Sequence, residues 1–165
     1  MEETLIANAL AYATQHRLRL AERLGFGIHG IIFAAENKRA GGLTAIKAHR
    51  EFEPYGRELD VYERLRDIGV SKIHGFNVPQ LVRHDDQLRV IEMSIVVRPF
   101  VLDFAGAYLD APPDFPAEIW REWEVEKSEQ FDVRWPGVQA VLTALEEWDI
   151  YMVDVSPSNI AFLDE

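Results

Sequence analysis

The sequence predicts an α+β fold in which a five-stranded antiparallel sheet is followed by a smaller helical part. Three observations predict it. The segment Leu18-Arg19-Leu20-Ala21-Glu22-Arg23-Leu24 alternates apolar and polar residues, which places its leucines on one face of a strand. Two more strand-like runs follow and then give way over residues 54–67 to apolar residues at helical spacing. Beyond residue 100 the composition turns to Trp, Pro and acidic residues and ends in a strongly amphipathic stretch, Pro136 to Trp148.

Each element has its own signal. Residues 3–15 read as a short flanking helix carrying Leu5, Ile6, Leu10 and Tyr12. Residues 18–24, 31–35 and 43–47 read as three consecutive antiparallel strands, separated by a glycine turn and by Asn37-Lys38-Arg39-Ala40-Gly41-Gly42. The helix of residues 54–67 opens at Pro54, carries Leu59, Tyr62 and Leu65, and stops at Gly69. Strands Gln80 to Arg83 and Leu88 to Val97 flank the turn His84-Asp85-Asp86-Gln87 and complete the sheet. Residues 116–131 and 136–148 are expected as helices, and short strands at 150–153 and 160–163 close the chain. The expected organisation is a helical flank over residues 1–17, a sheet-based lobe over 18–100 and a helical part over 101–165.

Composition narrows the function classes. The chain has 165 residues, enough for one domain with a substantial core, and its 48% hydrophobic content is that of a folded protein. Its 17 basic against 28 acidic residues give a formal charge of −11, which repels a nucleic-acid backbone and argues against nucleic acid as a partner. The absence of cysteine excludes disulfides, thiolate chemistry and cysteine-held zinc, and suits a cytoplasmic protein. Met1-Glu2-Glu3 has the wrong charge for a secretory leader, and no apolar run approaches the ~20 residues of a spanning helix, so no membrane partner is expected. The five histidines show no metal-type spacing.

Three segments carry chemistry. Gly25-Phe26-Gly27-Ile28-His29-Gly30 matches G-x-G-x-x-G, but Gly30 leads into the strand residues Ile31-Ile32-Phe33. A dinucleotide-binding turn leads into a helix, so that reading fails, whereas a glycine hairpin between strands can fold its backbone over phosphates. Lys47 ends the third strand among buried-type residues, and of the carboxylates on the next helix Glu58 lies on the face that packs against the sheet. An ammonium in such a place serves as a phosphate clamp if a carboxylate fixes it. Asp154-Val155-Ser156-Pro157-Ser158-Asn159 offers on one loop a carboxylate able to take a hydroxyl proton and an amide oxygen able to ligate Mg²⁺. Taken singly, each has a plainer reading: an ordinary glycine hairpin, a strand-end lysine with a solvated helix glutamate, and a self-capped Asp/Ser/Asn turn.

Together and in this order the segments resemble the protein kinase superfamily, both the serine/threonine protein kinases and the aminoglycoside phosphotransferase-like enzymes. The resemblance spans about Leu18 to Leu163 and rests best on Gly25 to Gly30 and on Thr44-Ala45-Ile46-Lys47. It implies a protein-kinase-like fold with a five-stranded N-lobe sheet, an αC-type helix and a reduced helical C-lobe. It further implies that Leu24, Gly25, Gly27, Gly30, Ile32, Ala45 and Lys47 bind ATP, and that the segment around Glu92 to Val97 approaches the hinge. It pairs Lys47 with Glu58, makes Asp154 the base, and makes Asn159 a ligand of Mg²⁺.

The sequence also departs from that pattern. Met152-Val153-Asp154 stands where the family carries His-Arg-Asp, Ser156 stands at a position that separates substrate classes, and no Asp-Phe-Gly follows Asn159. Two functions therefore stay open: a kinase-like phosphotransferase with Asp154 as base, or a pseudokinase-type module that binds nucleotide or a protein partner without turnover. The chain is expected to be a short or truncated form whose last strand has an unpaired edge, covered in a homodimer or by a protein partner.

Overall fold

The computed structural model describes residues 1–164 and has mixed α+β architecture. Helix α1 (Glu2–Gln15) leads into strands β1 (Leu18–Phe26), β2 (Gly30–Asn37) and β3 (Leu43–His49). Helix α2 (Phe52–Asp67) follows, then the short strands β4 (Lys72–Ile73) and β5 (Phe76–Asn77), then β6 (Leu81–Asp85) and β7 (Val90–Ser94). The five-stranded sheet has the order β1-β2-β3-β7-β6, with every neighbour antiparallel.

The second part begins with β8 (Phe100–Val101) and β9 (Tyr108–Leu109) and continues with α3 (Ala117–Phe131), α4 (Trp135–Glu146), β10 (Ile150–Tyr151) and β11 (Ile160–Ala161). Strand β10 pairs with β9, and β11 ends a small sheet of order β11-β8-β5-β4. Among the described residues no helix is long and apolar enough to cross a membrane.

Strand β7 is shorter than the apolar run from Leu88 to Val97 predicts. The Asp85 carboxylate accepts the Leu88 N–H at 2.8 Å and Arg89 has a φ of +52°, so the turn extends to residue 89. At the other end the Ser94 N–H donates to the Gln80 carbonyl, and the Ser94 Oγ accepts the Gln80 N–H, both at 2.8 Å. Helix α2 starts two residues before Pro54, which fits because the first turn of a helix has no internal use for a proline N–H.

Two apolar clusters hold the sheet. On one face Leu5, Ala9, Tyr12 and Ala13 of α1 pack on Ile31, Ala35, Ile46 and Val90. The Tyr12 hydroxyl reaches through this layer to the buried Glu92 at 2.8 Å, where Arg83 and Thr44 also donate. Glu92 therefore serves the α1 face of the sheet. On the opposite face Tyr55, Leu59, Tyr62 and Leu65 of α2 share one cluster with Met93, Val101, Phe104, Val138 and Ile160. Tyr62 meets Phe104 edge to face at 5.4 Å, so α2 is clamped to the segment after β8.

Candidate functional site

The buried stripe of α2 includes one charged residue. Tyr55, Leu59, Tyr62 and Leu65 recur at helical spacing, and Glu58 lies on the same stripe with 1% exposure. A carboxylate there must be paired. Its Oε2 accepts from Lys47 Nζ and from His49 Nε2, each at 2.7 Å, and its Oε1 accepts the Phe104 N–H at 3.3 Å. Burial alone would raise the carboxyl pKa, but the Lys47 charge, then the His49 bond and charge, outweigh it and hold Glu58 at about 2. Burial likewise works against the Lys47 ammonium, and the charges of Glu58 and Asp103 overcome it and raise its pKa.

Lys47 has a second partner that sequence order hides. Asp103 Oδ1 accepts from its Nζ at 3.0 Å, although Asp103 precedes the 154–159 loop and lies on a different segment. The path is visible in the small sheet. Strand β11 pairs antiparallel with β8, with Ile160 opposite Val101, and the Leu102 N–H donates to the Asn159 carbonyl at 2.9 Å. This register sets Asp103 beside the loop that ends in Asn159. Asp103 has a φ of +67°, in the left-handed region that Asp enters more readily than most side chains.

A cavity of about 530 Å³ opens between the two parts of the molecule. It is lined by Leu24, Gly25, Gly27, Gly30, Ile32, Ala45, Lys47, Glu58, Asp154 and Asn159, so the structure brings all the sequence-predicted site residues to one place. Met93 to Val96 also line it, whereas the neighbouring Glu92 side chain serves the opposite face of the sheet. One part of the lining is apolar, with Leu24, Ile32, Ala45, Met93 and Leu102; the polar part carries Lys47, Asp103, Asp154 and Asn159. Such volume and lining suit a small organic ligand with an apolar and a polar part.

Two glycines of the hairpin differ in purpose. A Cβ on Gly30 would lie 2.0 Å from the Ala48 carbonyl oxygen, so this glycine permits the close approach of β2 and β3. The Gly27 N–H donates to the Gly30 carbonyl at 3.0 Å and closes the hairpin, while a Cβ on Gly27 would meet nothing within 4 Å. Arg50 braces the tip: its N–H donates to the His29 carbonyl at 2.9 Å and its guanidinium to the Gly27 carbonyl at 3.3 Å.

The loop of Asp154 is held by Asn159, whose Nδ2 donates to the Asp154 carbonyl at 2.6 Å and whose Oδ1 accepts the Ser156 N–H at 2.7 Å. Asp154 itself is exposed, and a Cβ on Gly106 would lie 3.2 Å from the Asp154 Cβ, so that glycine leaves room for it. Tyr62 adds a buried polar atom beside Glu58 and Asp103. Its hydroxyl is buried at the cavity without a hydrogen-bond partner among the described residues, and burial, with the nearby Glu58 and Asp103 charges, pushes its pKa well up.

Sequence reasoning missed Asp103, His49 and Tyr62 as site residues. Asp103 lies on a segment ahead of the 154–159 loop, and no local pattern there marks it as a partner of Lys47. His49 and Tyr62 carried no signal beyond their place on a strand and an apolar helix face. Among the described residues no three His, Asp or Glu side chains converge as a metal-binding group, so a cation here would draw on Asp103, on Asn159 and on its ligand. No protein-family model, curated protein or solved structure matches this chain.

Proposed function

We propose that the cleft binds ATP with Mg²⁺ in a protein-kinase-like manner and presents its terminal phosphate to a hydroxyl acceptor. The observation that carries this reading is the Lys47 ammonium, held at 2.7 Å from Glu58 and 3.0 Å from Asp103 where the lining turns polar. A lysine so placed is a phosphate clamp kept in position by one carboxylate and shared with another. Leu24, Ile32, Ala45 and Met93 supply apolar walls for a planar base. The braced glycine hairpin forms the cover on the phosphate side.

The residues present fit a divalent cation brought in with the nucleotide. Asp103 and Asp154 both face the cleft with Lys47, so a polyphosphate entering alone would meet more negative than positive charge. Mg²⁺ is commonly held by one or two carboxylates plus substrate phosphates, a role open to Asp103 and to the remaining lone pair of Asn159 Oδ1. The ion supplies charge neutralisation on the phosphates. Asp154, exposed and given room by Gly106, accepts the proton of the acceptor hydroxyl.

Under this reading Asp103-Phe104 stands in for the Asp-Phe-Gly segment that the family places after the asparagine, here reached from the other side of the β8–β11 pair. Thermal-shift titration with Mg-ATP, ATP alone and Mg²⁺ alone tests it. Mg-ATP is expected to stabilise the protein by about 2.7 kcal/mol at a hundredfold excess over Kd. The absence of any stabilisation sinks the nucleotide reading.

One observation favours binding without turnover. Both polar atoms of the Asn159 amide already clasp its own loop, so ligation of a metal must share an oxygen that holds the Ser156 N–H. Phosphate release or transfer measured on wild type and Asp154→Asn separates the two: equal rates for both proteins identify a nucleotide-binding module.

A further inference from the structure

His49 is the last residue of β3, two positions beyond Lys47 on the same side of the strand, and is 0% exposed. Its two ring nitrogens meet only acceptors. Nε2 lies 2.7 Å from Glu58 Oε2, and Nδ1 lies 3.2 Å from the Arg89 carbonyl oxygen. Neither a carbonyl nor an ionised carboxylate can donate, and a neutral imidazole has a single N–H. Any neutral tautomer would set a lone pair against one of these oxygens in a site closed to water.

The Arg89 carbonyl already accepts the His49 backbone N–H at 2.9 Å, and the doubly protonated ring gives each of the two oxygens a ring donor instead of a lone pair. It also balances the charge of the cluster, with Lys47 and His49 positive against the buried Glu58 and the partly exposed Asp103. Its other neighbours are the Arg89 guanidinium, which donates to the His49 carbonyl at 3.3 Å, and the Tyr55 ring, edge-on at 5.5 Å. The Tyr55 hydroxyl is turned away to Asp86.

We propose that His49 is a positioning residue of the cleft: donating from both ring nitrogens, it fixes the Glu58 carboxylate that presents Lys47 to the ligand's phosphates. This rests on the nucleotide reading above and adds to it a residue that touches no ligand. Because His49 and Phe104 hold Glu58 independently of Lys47, the ammonium can exchange Asp103 for a phosphate oxygen while its carboxylate stays in place.

The test has two arms. Ring ¹⁵N NMR of histidine-labelled wild type at neutral pH is expected to show both His49 nitrogens protonated; a neutral ring overturns the proposal without any substitution. In the second arm, His49→Gln keeps one donor and removes the charge. It is expected to shift and broaden the Lys47 ¹⁵Nζ resonance and to weaken Mg-ATP binding by about tenfold or more, the size expected for a buried charge-assisted bond. It is also expected to alter the pH profile of that binding. An unchanged Lys47 resonance with unchanged affinity and pH profile overturns the positioning role. If wild type binds no Mg-ATP, the nucleotide reading fails, and the ring and Lys47 resonances, which need no ligand, still decide what His49 does.

Discussion

Lys47 Nζ lies 3.0 Å from Asp103 Oδ1 across 56 residues of sequence, and the pair joins the five-stranded sheet to the part of the chain that carries the Asp154 loop. Lys47 is almost wholly buried, whereas the Asp103 side chain is 34% exposed toward the cleft. Lys47 is thus held in the interior, whereas Asp103 reaches both Lys47 and the cleft.

Lys47→Ala is expected to abolish stabilisation by Mg-ATP. It also leaves the buried Glu58 with only His49 and the Phe104 N–H, so a loss near the low end of the roughly 3–5 kcal/mol seen for broken buried pairs is expected in urea denaturation. Unchanged ligand stabilisation in a folded variant removes Lys47 from the site.

Asp103→Asn keeps the shape of the side chain and removes its charge. Nucleotide affinity is expected to lose its dependence on Mg²⁺, with a drop of at least about tenfold in the presence of the ion. Asp164→Asn is the matched control, because Asp164 does not line the cleft. Titrations of both variants with and without Mg²⁺ decide between them.

The glycines of the hairpin are expected to separate by substitution. Gly30→Ala would place a Cβ 2.0 Å from the Ala48 carbonyl oxygen and is expected to cost about 1–3 kcal/mol, with β2 pushed off β3. Gly27→Ala meets nothing within 4 Å and is expected to leave the melting temperature close to wild type. Equal melting temperatures for the two variants would show that the hairpin does not pack on β3 in this way.

Acid should weaken the fold through Glu58. Its carboxyl is held at about 2 in the folded protein against an ordinary value of 4.5, so its contribution is present above the ordinary value and is lost as pH falls from there toward 2. The shift corresponds to roughly 3 kcal/mol at neutral pH. Denaturation at pH 6 and pH 3 should show wild type losing more stability than Glu58→Gln over that interval; parallel losses count against the pairing.

The Tyr12 hydroxyl is a buried polar anchor of α1 on the sheet, reaching Glu92 at 2.8 Å. Tyr12→Phe removes one of three donors to a buried carboxylate and is expected to destabilise by about 1.5–3 kcal/mol, with no change in Mg-ATP affinity, since neither residue lines the cleft. A change in affinity would tie α1 to the site.

Local pattern determined much of this protein. Alternation set the strands, helical spacing put Glu58 on the buried stripe of α2, and the strand after Gly30 separated a hairpin from a dinucleotide turn. These are readable because periods of two and 3.6 residues are properties of the backbone itself. The short strands β4, β5, β8 and β9 left no such pattern, since two residues cannot alternate detectably. What only the tertiary structure decided was partnership across distance. The pairing of β8 with β11 delivers Asp103 to Lys47 against sequence order, and the two acceptors facing His49 come from α2 and from the turn before β7. A sequence records which side chains are present and on which face, but not which faces meet, because that is fixed by strand order and register formed only on folding.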